Sequence, residues 1–251
     1  MTNETKTPKH SLFWHLYAQV YDGIRFAMPY RKLLWDTYSN LSLTSGQRLL
    51  DAGCGTGNFE RFLVEKSAPE VQIQAIDFSS AMLSRAKKKC AQLPHVCFEI
   101  ADLNRRLNFP DESFDHVVCL NVLYAVQDPH FTLQEFFRVL KPGGMMIIAN
   151  PRPSAKFAPL VRDHFKRIKN IWGIHRQTFA FVKSIFMMGT TGVAPIMLNT
   201  FVIVRRGKKR KYHFLPKSEL KEMFEQNDLG NLDVIAAYAD QNWLTTATKS
   251  N

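Results

Sequence analysis

The chain has 251 residues, 45% apolar and 22% charged, which suffices to bury a large core and excludes global disorder. Its four cysteines, Cys54, Cys90, Cys97 and Cys119, form no CxxC pair, so no zinc or other metal site and no redox motif is expected; Cys90, Cys97 and Cys119 read as small core residues in a reducing compartment. The net charge of +11 is uneven: residues 152–211 hold 14 Lys and Arg against one acid, Asp163, leaving the rest of the chain slightly acidic and marking one segment for an anionic partner.

In chain order, residues 1–10 (MTNETKTPKH) are polar and read as a disordered tail. They lack the apolar core of a secretory signal, so a cytoplasmic location is expected. In WHLYAQVYDGI, Tyr17 and Tyr21 lie four apart, on one helical face. Residues 47–52 (QRLLDA) predict a strand that runs into Gly53-Cys54-Gly55-Thr56-Gly57, and NFERFLVEK then has the apolar spacing of a helix. Residues 71–76 (VQIQAI) predict a second strand ending at Asp77, with Ser79 capping the next helix. Residues 96–101 and 114–120 predict strands three and four. A helix over 131–140 is stopped by Lys141-Pro142-Gly143-Gly144, and 145–149 (MMIIA) predicts strand five. Near the C-terminus, 214–227 predicts a helix ended by Gly230, followed by strands over 232–239 and 243–249 joined by Asp240-Gln241-Asn242. Alternating strands and helices imply a parallel sheet with helices on both faces and a ligand beyond the strands' carboxyl ends.

Glycines at 53, 55 and 57 suit a turn that brings bare backbone against a ligand. A nicotinamide-type turn would place its third glycine at 58, where Asn58 stands, and no GK[ST] follows, so a Walker-type phosphate loop is excluded. Asp51 and Asp77 sit at the ends of successive strands, and a carboxylate at 77 suits the two hydroxyls of a ribose.

These pieces together, LLDAGCGTGNFERFL, AIDFSSAML, ADLNRRLNFPDESFDHVVCLNVLYAV and LKPGGMMIIANP, resemble the class I S-adenosylmethionine-dependent methyltransferases in order and spacing over about residues 47–151. The resemblance implies a Rossmann-like seven-stranded α/β sheet with the last strand antiparallel, and S-adenosyl-L-methionine as cofactor. It implies a single domain over 11–251, with cap helices over 11–45 and an acceptor-binding lid inserted over 151–210. Gly53, Cys54, Gly55 and Gly57 would then meet the methionine part of the cofactor, and Asp51 its ammonium. Asp77 would hold the ribose. Phe78, Met82 and Leu103 would pack on the adenine, Asp102 would accept from its amino group, and Asn121 would present backbone near the methionine. WHLYAQVYDGI resembles the entry helix of small-molecule and lipid members, with Tyr17 and Tyr21 covering the cofactor or lining the acceptor pocket.

In the insertion, apolar residues from Phe157 to Trp172 recur at helical spacing beside Arg162, Lys166, Arg167 and Lys169, a basic amphipathic helix of the kind that lies on membranes. Residues 184–204 then run 21 positions without a formal charge, but Gly189, Gly192 and Pro195 interrupt them. A lid at the interface or around an apolar acceptor is expected rather than a membrane span. Tyr124, Trp172 and His175 are candidate acceptor contacts. His175, Tyr124, Tyr17 and His130 are conceivable helpers in proton transfer, and no catalytic base is assigned. The expected function is methyl transfer to a small amphipathic or lipid-like acceptor at an anionic membrane surface, by a cytoplasmic protein peripheral to the membrane. An RNA methyltransferase and a non-catalytic cofactor-binding partner subunit are the alternatives.

Overall fold

The structure, a computed structural model, describes Ala18 and residues 21–171, 212–227 and 229–250. Tyr17, Trp172, His175, the uncharged run 184–204 and the basic cluster 205–211 lie outside the described residues. Seven strands form one sheet: β1 Arg48–Ala52, β2 Gln72–Asp77, β3 Val96–Ile100, β4 Phe114–Leu120, β5 Leu140–Pro151, β6 Leu229–Ala237 and β7 Asn242–Lys249. Their order is β3-β2-β1-β4-β5-β7-β6. The first five are parallel, and β7 runs antiparallel between β5 and β6. The chain reverses its direction of travel across the sheet between β1 and β4, where Asp51 pairs with Val118. A crevice at that switch point is where such sheets take ligands.

The described helices are α1 Met28–Asn40, α2 Asn58–Glu65, α3 Ser80–Lys89, α4 Pro129–Val139, α5 Phe157–Ile171 and α6 Lys217–Glu225. Strand side chains alternate between the faces. Leu49, Val118 and Ile147 join Leu33 and Leu34 of α1 and Phe59, Phe62 and Leu63 of α2 in one core. Leu50, Val117, Met146 and Ile148 join Leu133 and Phe136 of α4 and Leu220, Met223 and Phe224 of α6 in the other. Burial on both faces accounts for the consecutive apolar residues Leu49-Leu50 in β1, Val117-Val118-Cys119 in β4 and Met146-Ile147-Ile148 in β5.

Several boundaries differ from the sequence expectation. The fourth helix starts at Pro129, because the Asp128 side chain accepts from the backbone N–H of His130 and Phe131 and Pro129 presets the first turn. Its stop segment belongs to β5: Leu140 pairs with Phe114, the register shifts, and pairing resumes at Met145 opposite His116. Gly230 does not end the last helix. It lies in β6 opposite Thr248, beside a bulge that contains Asn231 at φ 49°. Cys97 is exposed rather than core, because β3 is an edge strand; Cys54, Cys90 and Cys119 are buried.

The ends of the insertion are tied to the carboxyl edge of the sheet. On the outgoing side, Arg152 N–H donates to Gln241 O at 2.9 Å. On the returning side, His213 N–H donates to Tyr124 O at 2.8 Å. The described part of the insertion, α5, is seated on α1: His164 is buried, and its Nδ1 accepts from Met28 N–H at 3.1 Å. Arg162 and Lys166 are exposed, and Asp163 pairs with Arg167. No helix among the described residues is long and apolar enough to cross a membrane.

Candidate active site

The glycine turn leaves β1 with Gly53 and Cys54 both donating to Ile76 O, at 2.7 and 3.0 Å, so it is fixed to the end of β2. Gly53 has φ 87°, and a Cβ there would collide with the Val122 side chain. Gly57, at φ 76°, caps α2 in the left-handed region, which a side chain would strain. The turn therefore presents bare backbone at the start of a helix, where partial positive charge gathers.

Two carboxylates flank this turn. Asp77 Oδ2 accepts from Gly55 N–H at 3.0 Å and Oδ1 from Ser79 N–H at 2.8 Å. Burial pushes its carboxyl up to about 6, against the opposing pull of those two amides. Asp51, at 3% exposure, is buried beside Glu60 in the first turn of α2, and burial followed by the Glu60 carboxyl raises it well above the ordinary carboxylate range. Tyr21 lies over the turn, its ring edge 3.4 Å from where a Gly55 Cβ would stand. Its hydroxyl pairs with Tyr30, which also bonds Asn58, and burial pushes the Tyr21 phenol up to about 12. The entry segment is latched to the turn by a second network. Thr56 Oγ1 donates to Asp22 Oδ1 at 2.5 Å, and Lys89 Nζ reaches Asp22, Thr56 Oγ1 at 3.0 Å and Asn58 Oδ1 at 2.7 Å.

The other expected site residues fall around this centre. Phe78 is 46% exposed just beyond β2. Met82 is buried with Ala18 and partly covered by Tyr21, so it packs the entry segment. Asp102 is half-exposed; its Oδ1 accepts from Asn104 N–H at 3.0 Å and Nδ2 at 2.6 Å, which fixes the carboxylate beside buried Leu103. Asn121 follows β4 at φ 59°, a conformation Asn tolerates, and its Oδ1 accepts from Asn242 Nδ2 at 2.6 Å. Tyr124 is buried, stacked 5.9 Å from Phe214 and edge-on 5.1 Å from Tyr212. It thus helps build an aromatic wall where the insertion returns. His130 is exposed in the first turn of α4.

Sequence reasoning missed Glu60, Tyr30, Lys89 and Asp22. Only Glu60 carried a local signal, an acid set between the apolar residues Phe59, Phe62 and Leu63. The donor set fits S-adenosylmethionine: anionic groups for an ammonium and a ribose, bare amides for a carboxylate, and an exposed aromatic for a purine.

A model of a methyltransferase domain matches residues 43–228. The chain is 34% identical over 129 residues to phosphoethanolamine N-methyltransferase 1 of Arabidopsis thaliana, covering 49% of this chain and 26% of that protein. It is 33% identical over 141 residues to demethylmenaquinone methyltransferase of Lysinibacillus sphaericus, covering 55% and 59%. The match thus spans between about a quarter and three-fifths of these relatives' own lengths. A solved Haemonchus contortus phosphoethanolamine N-methyltransferase 2, in complex with phosphomonomethylethanolamine and S-adenosylhomocysteine, superposes with TM-score 0.58 at 16% identity, over 87% of this chain and 52% of that one. With the sheet order, the glycine turn and the strand-end carboxylates, the matched domain establishes that the chain belongs to the class I S-adenosylmethionine-dependent methyltransferases.

Proposed function

We propose that this protein methylates a small amphipathic or lipid-like acceptor that it meets at an anionic membrane surface. One observation carries the proposal: directly after β5, the same segment holds 14 Lys and Arg against one acid and a 21-residue uncharged run. Phosphates call for the cations but not for the aliphatic run, whereas an anionic interface calls for both. The insertion leaves and rejoins one edge of one sheet, so a single membrane crossing is incompatible with the fold. The relatives named for phosphoethanolamine and demethylmenaquinone support a small-molecule acceptor.

When bound, S-adenosylmethionine supplies an electrophilic methyl on a sulfonium. Asp51 and the glycine turn would hold its amino-acid end, Asp77 its ribose, and Phe78, Asp102 and Leu103 its base. Tyr21 lies over the turn beside Gly55. The aromatic wall of Tyr124, Tyr212 and Phe214 borders the site where the acceptor would enter. Orientation in such a pocket supplies much of the rate of a methyl transfer.

The test is incubation with methyl-labelled cofactor and separated lipid and RNA extracts, the lipids presented in anionic or neutral vesicles. Label should enter the lipid fraction, faster from anionic vesicles. Label entering RNA alone would reject the proposal.

A further inference from the structure

Glu60 is fully buried, and among the described residues its carboxylate has only its own backbone N–H and the Asp51 carboxyl as hydrogen-bond partners. A carboxylate with so few donors in such a place is costly. The neighbour of Glu60 is the Asp51 carboxyl, itself buried, and two carboxyl groups in contact away from water avoid repulsion by holding one proton between them. Nothing in ordinary core packing calls for this pair, since an apolar residue in place of Glu60 would fill the space between Phe59 and Leu63 at lower cost.

We propose that Asp51 and Glu60 act as one carboxyl pair, which holds a shared proton beneath the glycine turn and releases it to solvent when the cofactor's ammonium arrives. The inference rests on the assignment of this site to S-adenosylmethionine. The charges balance. Before binding, the pair carries one proton and one negative charge. Afterwards two carboxylates face one ammonium and the proton is in the buffer, so the buried net charge is unchanged. Glu60 is then a positioning residue: it acts through Asp51 and ties cofactor affinity to pH.

The other titratable groups facing the pair are Asp77 from β2, Cys54 in the turn, Cys119 from β4, Lys89 and the following Cys90 at the end of α3, and Tyr21 from the entry segment, with Tyr30 and Tyr238 behind Tyr21. Burial holds the cysteines and tyrosines neutral. Asp77 titrates near 6, so measurements at about pH 7.5 leave it ionised. The complex binds fewer protons than the free protein, so affinity should rise with pH, by at most about tenfold per pH unit.

Calorimetric titration with S-adenosylhomocysteine, in buffers of different ionisation enthalpy at about pH 7.5, reads the protons released. The wild-type protein should release up to one proton per ligand. Glu60→Gln should abolish that release and flatten the dependence of affinity on pH. Equal release by both proteins would overturn the inference. Infrared spectra of the unliganded wild-type protein give a check that needs no variant to fold: a protonated-carboxyl stretch should persist at neutral pH and disappear on ligand binding. Its absence at neutral pH would overturn the pair. Failure of the ligand to bind a wild-type protein that shows the stretch would leave the pair standing and overturn the cofactor assignment.

Discussion

Asp77 is held by the very turn it was expected to serve: its two oxygens accept from Gly55 and Ser79, and each keeps a lone pair for a ligand. Burial raises its carboxyl from 3.8 to about 6, so between those values the folded protein binds more protons than the unfolded chain. The Asp77 contribution to stability is therefore greatest in acid and falls as pH rises through that window. Relative to Asp77→Ala, wild-type unfolding free energy should drop by about 3 kcal/mol between about pH 3 and pH 7, measured by urea denaturation. A flat difference would show that the carboxyl is not perturbed. Asp51, Asp77 and the three glycines were legible because their roles follow from position at strand ends. Glu60, Lys89 and Tyr30 were not, because each acquires its partner from another element: Glu60 from β1, Lys89 from the entry segment and the turn, and Tyr30 from Tyr21 and Asn58.

At the scale of elements, existence and type were readable throughout the described sheet, and boundaries failed where pairing overrode local propensity. Glycines at 143, 144 and 230 signal helix ends in sequence, yet all three lie within strands: 143 and 144 at the register shift of β5 against β4, and Gly230 opposite Thr248 of β7. The basic amphipathic helix expected after strand five is present as α5, and its buried His164 explains its seat. A neutral imidazole Nδ1 accepts from Met28 N–H at the start of α1, a turn with no side-chain cap of its own. Burial lowers the imidazole from its usual 6.5, so the unfolded chain binds the proton more readily. The stability due to His164 is present above 6.5 and is lost as pH falls through the lower folded value. His164→Ala should cost about 1–3 kcal/mol at neutral pH and less in acid, with faster amide exchange along α5 and the first turn of α1. Equal cost at both pH values would contradict the neutral-acceptor role.

At the scale of the molecule, the sheet order and the separation of charge act together. A slightly acidic catalytic body carries an insertion that holds the chain's basicity, and the insertion's described ends are anchored at the carboxyl edge, where the site lies. The segment proposed to capture the acceptor is thereby tied to the edge of the sheet that bears the cofactor turn. The whole account depends on the occupant of that turn. Titration of the wild-type protein with S-adenosylhomocysteine, alongside Asp77→Ala and with NAD as a control, tests it most directly. Saturable binding to the wild type is expected, with affinity reduced about 10- to 100-fold in the variant and no competition from NAD. Unchanged affinity in Asp77→Ala, or preferential binding of NAD, would contradict the account.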